Sequence, residues 1–227
     1  MKISIFGTGP VGQTFATALS SKGHQVMVGT RDVAATMAKT DKDVFGNPPF
    51  KVWREQNPKV EVGTFADAAK FGELAINALS GQGTLDGLGL AGEQSLAGKI
   101  LIDISNPLDF SKGMPPTLFV SNTDSLAEQI QRRFPKTRVV KALNTLNAYL
   151  MVGPGQLAGG DHTSFVCGND EKAKGEVIGK LKEWFGWKDL IDLGDLSAAR
   201  GTEMYLPLWL RLFGALKNPM FSIKVVR

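Results

Sequence analysis

Gly7-Thr8-Gly9-Pro10-Val11-Gly12 has residue types and spacing that call for a specific chemistry. It fits G-x-G-x-x-G, follows the apolar run Lys2–Phe6 at once and opens a helical pattern over Val11–Lys22. A second apolar run begins at Gln25. In such a strand–turn–helix–strand context the first glycine allows the tight turn. The second lets the backbone approach a pyrophosphate, and the third lets helix and strand pack closely. Free N–H groups and the positive end of the helix dipole would then hold the anion. Gly7, Thr8, Gly9, Pro10, Val11 and Gly12 are therefore expected to bind the phosphates of a dinucleotide.

The end of the second strand should decide which dinucleotide. An Asp or Glu there would bond a ribose 2′-hydroxyl. Here the strand runs into Gly29-Thr30-Arg31-Asp32. Gly29 stands where the acid is expected, while Thr30 and Arg31 offer a hydroxyl and a guanidinium fork suited to a 2′-phosphate. The reading favours NADP(H) over NAD(H). Asp32 leaves an alternative open, since it could reach the ribose or cap the helix that follows.

Residues for proton transfer are conspicuously few. Tyr149 and Tyr205 are each followed four positions on by Gly153 and Trp209, so no Tyr-x-x-x-Lys pair exists. Of the two histidines, His24 reads as structural and His162 as solvated; neither has an evident carboxylate partner. The single cysteine, Cys167, ends an apolar strand and reads as core. No metal-ligand spacing is present, so no metal is expected, and no catalytic acid or base is assigned. Carbonyl reduction normally needs a proton donor beside the hydride path. Transfer to a flavin-like ring does not, because the ring delocalises the charge and can take its proton from water.

The elements that must position these residues read as an α/β protein: a Rossmann-type, doubly wound, mainly parallel sheet. Strands are predicted at Lys2–Phe6, Gln25–Val28, Val60–Thr64, Leu74–Leu79, Lys99–Ile104, Arg138–Leu143, Thr163–Cys167 and Leu190–Leu193, many of them nearly continuous apolar runs. Helices are predicted at Val11–Lys22, Ser125–Phe134 and Glu171–Phe185. Residues 41–58 read as an excursion with one short helix, 80–98 as a glycine-rich stretch holding a modest helix, and 106–122 as a long loop. The 227 residues suit one domain, with a short C-terminal helical extension over about 195–227. A net charge of +4 is too small and scattered for a nucleic-acid surface. One cysteine and no leader-like start point to the cytoplasm. Tyr205 to Leu216 falls short of the roughly 20 apolar residues of a bilayer span. Leu206–Phe221 is apolar on nearly all sides, so it is either a fully buried core helix or a homodimer contact, and the dimer is favoured.

Four stretches resemble the NADP oxidoreductase, coenzyme F-420-dependent family. They are the turn Gly7–Gly12, the strand end Val28–Arg31, Val139–Thr145 and Phe165–Asp170. The N-terminal domains of the STEAP metalloreductases look similar at Val140–Leu146, and Asp192–Ser197 with the later Leu206-Pro207-Leu208 also resembles the F-420 family. The resemblance implies NADP(H) on the glycine turn and its 2′-phosphate near Thr30 and Arg31. It places the nicotinamide near Ala78, Leu79 and the Ala142–Thr145 segment, with Asn106, Ala142 and Asn144 in the cofactor-binding set. The partner it implies is a small-molecule redox acceptor, coenzyme F-420 or a flavin. The family often carries a further basic residue just after this arginine. Val33-Ala34-Ala35 supply none, and Lys39 could substitute. An NADP(H) sensor without turnover is the alternative. Reductases with helical second domains fit poorly, because too few residues follow the sixth strand.

Overall fold

A computed structural model describes residues 1–43 and 46–227. Ten strands run in chain order: β1 (Lys2–Phe6), β2 (Gln25–Thr30), β3 (Glu61–Thr64), β4 (Leu74–Asn77), β5 (Ile100–Asp103), β6 (Leu108–Asp109), β7 (Thr117–Leu118), β8 (Arg138–Ala142), β9 (Thr163–Gly168) and β10 (Asp189–Asp192). The helices are α1 (Pro10–Ser21), α2 (Val33–Ala38), α3 (Phe50–Gln56), α4 (Phe65–Phe71), α5 (Gly81–Ala91), α6 (Glu93–Leu96), α7 (Leu126–Arg133), α8 (Ala148–Val152), α9 (Glu171–Phe185), α10 (Ala199–Met204) and α11 (Leu206–Leu216). Eight strands form one sheet in the order β10-β9-β8-β5-β4-β1-β2-β3. All neighbours are parallel except β8 and β9. All eight strands expected from the sequence lie in this sheet.

Alternation along the strands sends side chains to two faces. Ile3, Ile5, Ile76, Ile102, Val140 and Val166 join one core with Phe15 and Leu19 of α1 and Val177, Leu181 and Trp184 of α9. Phe6, Ala75, Leu101, Val139 and Cys167 join the other, with Ala68 of α4, Leu88 of α5, Ile130 of α7 and Ala199 of α10. Helices cover both faces, so the sheet is doubly wound. The chain order reverses direction between β1 and β4, and ligands bind such sheets in the crevice at the carboxyl ends of the strands beside that reversal.

Several local features decide element ends. Asp170 accepts a hydrogen bond from Ala173 N at the start of α9, and Gly186 ends that helix at φ 75°. Thr64 and Asp67 form a reciprocal capping box on α4. The 106–122 stretch is not simply a loop: β6 and β7 pair antiparallel within it, Leu108 opposite Leu118. Pro107, Pro115 and Pro116 flank the two strands and so cost the ladder no donor.

The C-terminal segment also differs from one of its two expected forms. It is helical, but not a fully buried core helix. Within α11 only Leu206 is buried, while Leu208 and Leu216 are 55% and 57% exposed. Trp209 stacks on Phe213 and Phe221 at 5.7 and 5.1 Å, so the segment packs largely on itself. The tail then returns to the sheet edge, where Thr163 N donates to Ile223 O. No helix among the described residues is long and apolar enough to cross a membrane.

Candidate functional site

The glycine turn connects β1 to α1 at the sheet reversal, and its geometry explains each glycine separately. Gly7 has φ 118°, and a Cβ there would lie 2.6 Å from Ala78 O. A Cβ on Gly12 would lie 2.1 Å from Gly7 O. Both positions therefore exclude any side chain for internal reasons. Gly9 differs: its φ is −75°, ordinary for any residue, and a Cβ would meet nothing within 4 Å. A glycine that the protein itself does not require keeps space open for something else. Gly9 is the N-cap of α1 and Pro10 occupies its first turn. The N–H groups of the first turn have no partner within the helix. This cradle fits a pyrophosphate.

A cleft of about 470 Å³ continues from the turn along the end of β2. It is lined by Thr8, Gly29, Thr30, Arg31, Thr36 and Lys39, among others. A Cβ on Gly29 would crowd Ala68 Cβ at 3.0 Å and the Phe65 ring at 3.2 Å, so an acid there would have to push these neighbours aside. Thr30 is 7% exposed and its hydroxyl pairs with that of Thr36 at 2.7 Å. Arg31 is exposed. Asp32 is the N-cap of α2, accepting from Ala35 N at 2.9 Å. Of its two readings, the structure shows the helix cap. Lys39 lies on the cleft wall, the place where a further basic residue was wanted.

A second, smaller cleft of about 220 Å³ lies on the other side of the turn. Val11, Ala78, Leu79, Ile104, Leu108 and Phe110 give it apolar walls, with Ser80, Gln82, Ser105 and Asn106 as its polar side chains. Its lining residues include no titratable group. Ala78 and Leu79 follow the end of β4, and Ser105 and Asn106 follow β5. Ala142, the last residue of β8, and Asn144, two residues on, are 0% and 2% exposed and do not line the cleft. Asn144 reaches the cleft through Asn106: Asn106 Nδ2 donates to Asn144 O, and Asn144 Nδ2 donates to Asn106 Oδ1, both at 2.9 Å.

Beneath this cleft lies a group of charges that the sequence reading missed. Lys141 Nζ is 2.9 Å from Asp103 Oδ2 and 2.8 Å from Glu203 Oε1, and it also donates to Ser105 O. The three side chains are 1%, 0% and 2% exposed. Asp103 accepts further bonds from Asn77 Nδ2 at 2.7 Å and from Ser105 N and Oγ at 3.1 and 2.7 Å. Glu203 accepts from Leu126 N and Ala127 N at the start of α7. Burial alone would pull the Lys141 pKa down, but the two carboxylates overcome it and hold the ammonium above the ordinary lysine value. The cluster ties the ends of β4, β5 and β8 to α10. A faint signal existed, because Lys141 and Asp103 each interrupt an otherwise apolar strand run.

The remaining sequence-flagged residues lie elsewhere. His162 is not solvated but buried, at 3% exposure. Its Nε2 bonds Pro154 O at 3.0 Å and its ring meets Trp187 edge-on, because residues 153–161 fold over it. His24 packs against Trp184, and burial lowers its pKa. Cys167 is core, and burial pushes its thiol up to about 12. Among the described residues no group of acidic, histidine and cysteine side chains could hold a metal ion.

A doubly wound sheet with this glycine turn at its reversal point belongs to the Rossmann class of dinucleotide-binding proteins. The comparisons carry the assignment further. The sequence pattern described as NADP oxidoreductase, coenzyme F420-dependent matches residues 2–107. A solved structure from Arthrobacter sp. FB24, described as a putative F420-dependent NADP-reductase, is 55% identical with both chains fully covered and a TM-score of 0.94. The F420-dependent NADP reductase of Methanocaldococcus jannaschii is 32% identical over 99% of this chain and 98% of that protein. The metalloreductase STEAP3 of Rattus norvegicus is 29% identical over 92% of this chain but only 38% of its own length. The chain belongs to the NADP oxidoreductase, coenzyme F420-dependent family and is an NADP-dependent oxidoreductase.

Proposed function

We propose that this chain transfers a hydride between NADP(H) and a flavin-like ring, with the deazaflavin F-420 as the preferred acceptor and a flavin as the second choice. The observation that carries this reading is the apolar 220 Å³ cleft beside the strand ends, whose lining has no acid or base. Such a wall suits two rings held face to face and does not suit proton transfer to a carbonyl. The names of the full-length relatives support the choice of F-420.

NADP(H), when bound, supplies or receives the hydride. The chain's own residues do the rest. Gly7, Thr8, Gly9, Pro10, Val11 and Gly12 receive the pyrophosphate at the start of α1. Thr30 and Arg31, with Lys39, hold the 2′-phosphate. Ala78, Leu79 and Asn106 wall the nicotinamide side, and Ala142 and Asn144 fix that wall from behind. Phe110 and Leu108 exclude water from the open edge. Residues 1–227 work as a single unit, with 195–227 as an extension.

The exposed apolar side of α11, with Leu208, Phe213 and Leu216, is proposed to bury itself against a second copy of the chain. Light scattering at tens of micromolar should give twice the 24.4 kDa of one chain, and Phe213→Asp should split the assembly. A monomer mass for the unaltered protein would remove the dimer.

Turnover tests the reading as a whole. NADPH oxidation should be fast with F-420, slower with FMN or FAD, and negligible with simple ketones. Tight NADPH binding with no turnover on any ring acceptor would leave a sensor instead.

A further inference from the structure

Asp103, Lys141 and Glu203 are separated from the cleft by Ser105, which lines it, donates its N–H and Oγ to Asp103 and accepts from Lys141. Asp103 accepts from Asn77, Ser105 and Lys141; Glu203 accepts from Leu126 N, Ala127 N and Lys141. Both carboxylates are met by hydrogen-bond donors as well as by the ammonium. Two carboxylates against one ammonium leave a net negative unit on side chains that are at most 2% exposed. The start of α7 offsets about half of it. One carboxylate would pair the lysine; the second, Glu203, also holds the start of α7, so the excess charge sits on a residue with a structural role of its own.

The nicotinamide ring is neutral in NADPH and positively charged in NADP⁺. We propose that the buried Asp103–Lys141–Glu203 cluster biases the site toward the oxidised cofactor, raising affinity for NADP⁺ relative to NADPH. This inference rests on the placement of the nicotinamide beside Ala78 and Asn106. The three residues touch neither ring. They act through the field, which is strong because little solvent screens a charge at this depth. Hydride donation by NADPH creates the ring's positive charge, so the same field favours that direction of transfer.

The test is the ratio of the NADP⁺ and NADPH dissociation constants, measured by calorimetry on the full chain at fixed salt. Glu203→Gln removes one negative unit and should raise that ratio about three- to tenfold, the range for a unit charge about 12 Å away in an effective dielectric of about 20–40. Glu203→Asp disturbs the packing but keeps the charge, so its ratio should stay within about twofold of the parent. Asp103→Asn should move the ratio in the same direction as Glu203→Gln and serves if the latter fails to fold. Adenosine 2′,5′-bisphosphate lacks the ring, so its binding should be unaffected by any of the three. Equal weakening of both cofactors by Glu203→Gln, with the ratio unchanged, overturns the inference. Ala78→Trp separates it from the reading beneath it. This variant should weaken NADPH but not the bisphosphate, and if NADPH binding is untouched the ring placement itself fails.

Discussion

Replacing Arg31 with alanine removes the one guanidinium among the lining residues of the cleft proposed to take the 2′-phosphate. Nothing nearby takes over the same geometry. Asp32 is committed to the cap of α2, and Gly29 is hemmed in by Ala68 and Phe65. The Thr30 hydroxyl already pairs with Thr36, and Lys39 offers a point charge rather than a fork. Hydrogen bonds to a charged group contribute about 1.5–3 kcal/mol. Arg31 is exposed, so screening favours the lower part, about 1.5–2 kcal/mol. Arg31→Ala should therefore weaken NADPH roughly 10- to 30-fold. NADH has no 2′-phosphate and should bind almost as before. Direct titration of both cofactors at low and moderate salt reads the effect, and the NADPH loss should shrink as salt rises. Equal losses for NADPH and NADH would refute the argument, because they would show that Arg31 supports the fold or the adenosine rather than the phosphate.

Two glycines of the turn should respond in opposite ways. Gly9→Ala introduces a methyl that meets no protein atom, so Tm should hold within about 2 °C while NADPH affinity falls at least about tenfold. Gly12→Ala drives its methyl against Gly7 O and should lower Tm by roughly 3–10 °C, the consequence of about 1–3 kcal/mol of overpacking. Differential scanning calorimetry with and without NADPH separates the two. On the acid side, the hydrogen bond from Arg132 holds Asp124 down to about 2. A depressed carboxylate contributes stability above its unfolded value and loses it as pH falls through the folded one. The Tm of the parent should therefore drop between about pH 4 and 2 more steeply than that of Asp124→Asn. Matching slopes would contradict the pairing.

Much of this arrangement was legible from local signals. The central strands β4 and β5 are apolar runs buried along their whole length, and Asn169-Asp170 with Gly186 framed α9 at both ends. The capping box on α4 was equally readable, since Thr64 and Asp67 stand at the required spacing, yet the short helix between two strands went unassigned. His162 reads as solvated because it stands just before a strand with no evident partner; only the fold brings Pro154 O and the Trp187 ring against it. The β6–β7 pair is too short to show alternation. The Asp103–Lys141–Glu203 cluster was hidden for a different reason. Its members sit far apart in the chain, and no spacing rule joins them until the sheet and α10 bring them together. The exposed side of α11 lies between these cases: its apolar character was plain, but which face lacks cover depends on tertiary packing.

Direct transfer of isotope tests the central claim most sharply. NADPH carrying deuterium at the transferable C4 position should be mixed with the protein and F-420 in a single turnover, and the reduced acceptor analysed by mass spectrometry. The account predicts deuterium on the reduced F-420. It also predicts a transfer rate that varies by less than about twofold between roughly pH 6 and 8, because no side chain in the cleft titrates there. Loss of the label to solvent, or a rate that follows a single ionisation in that range, would contradict it.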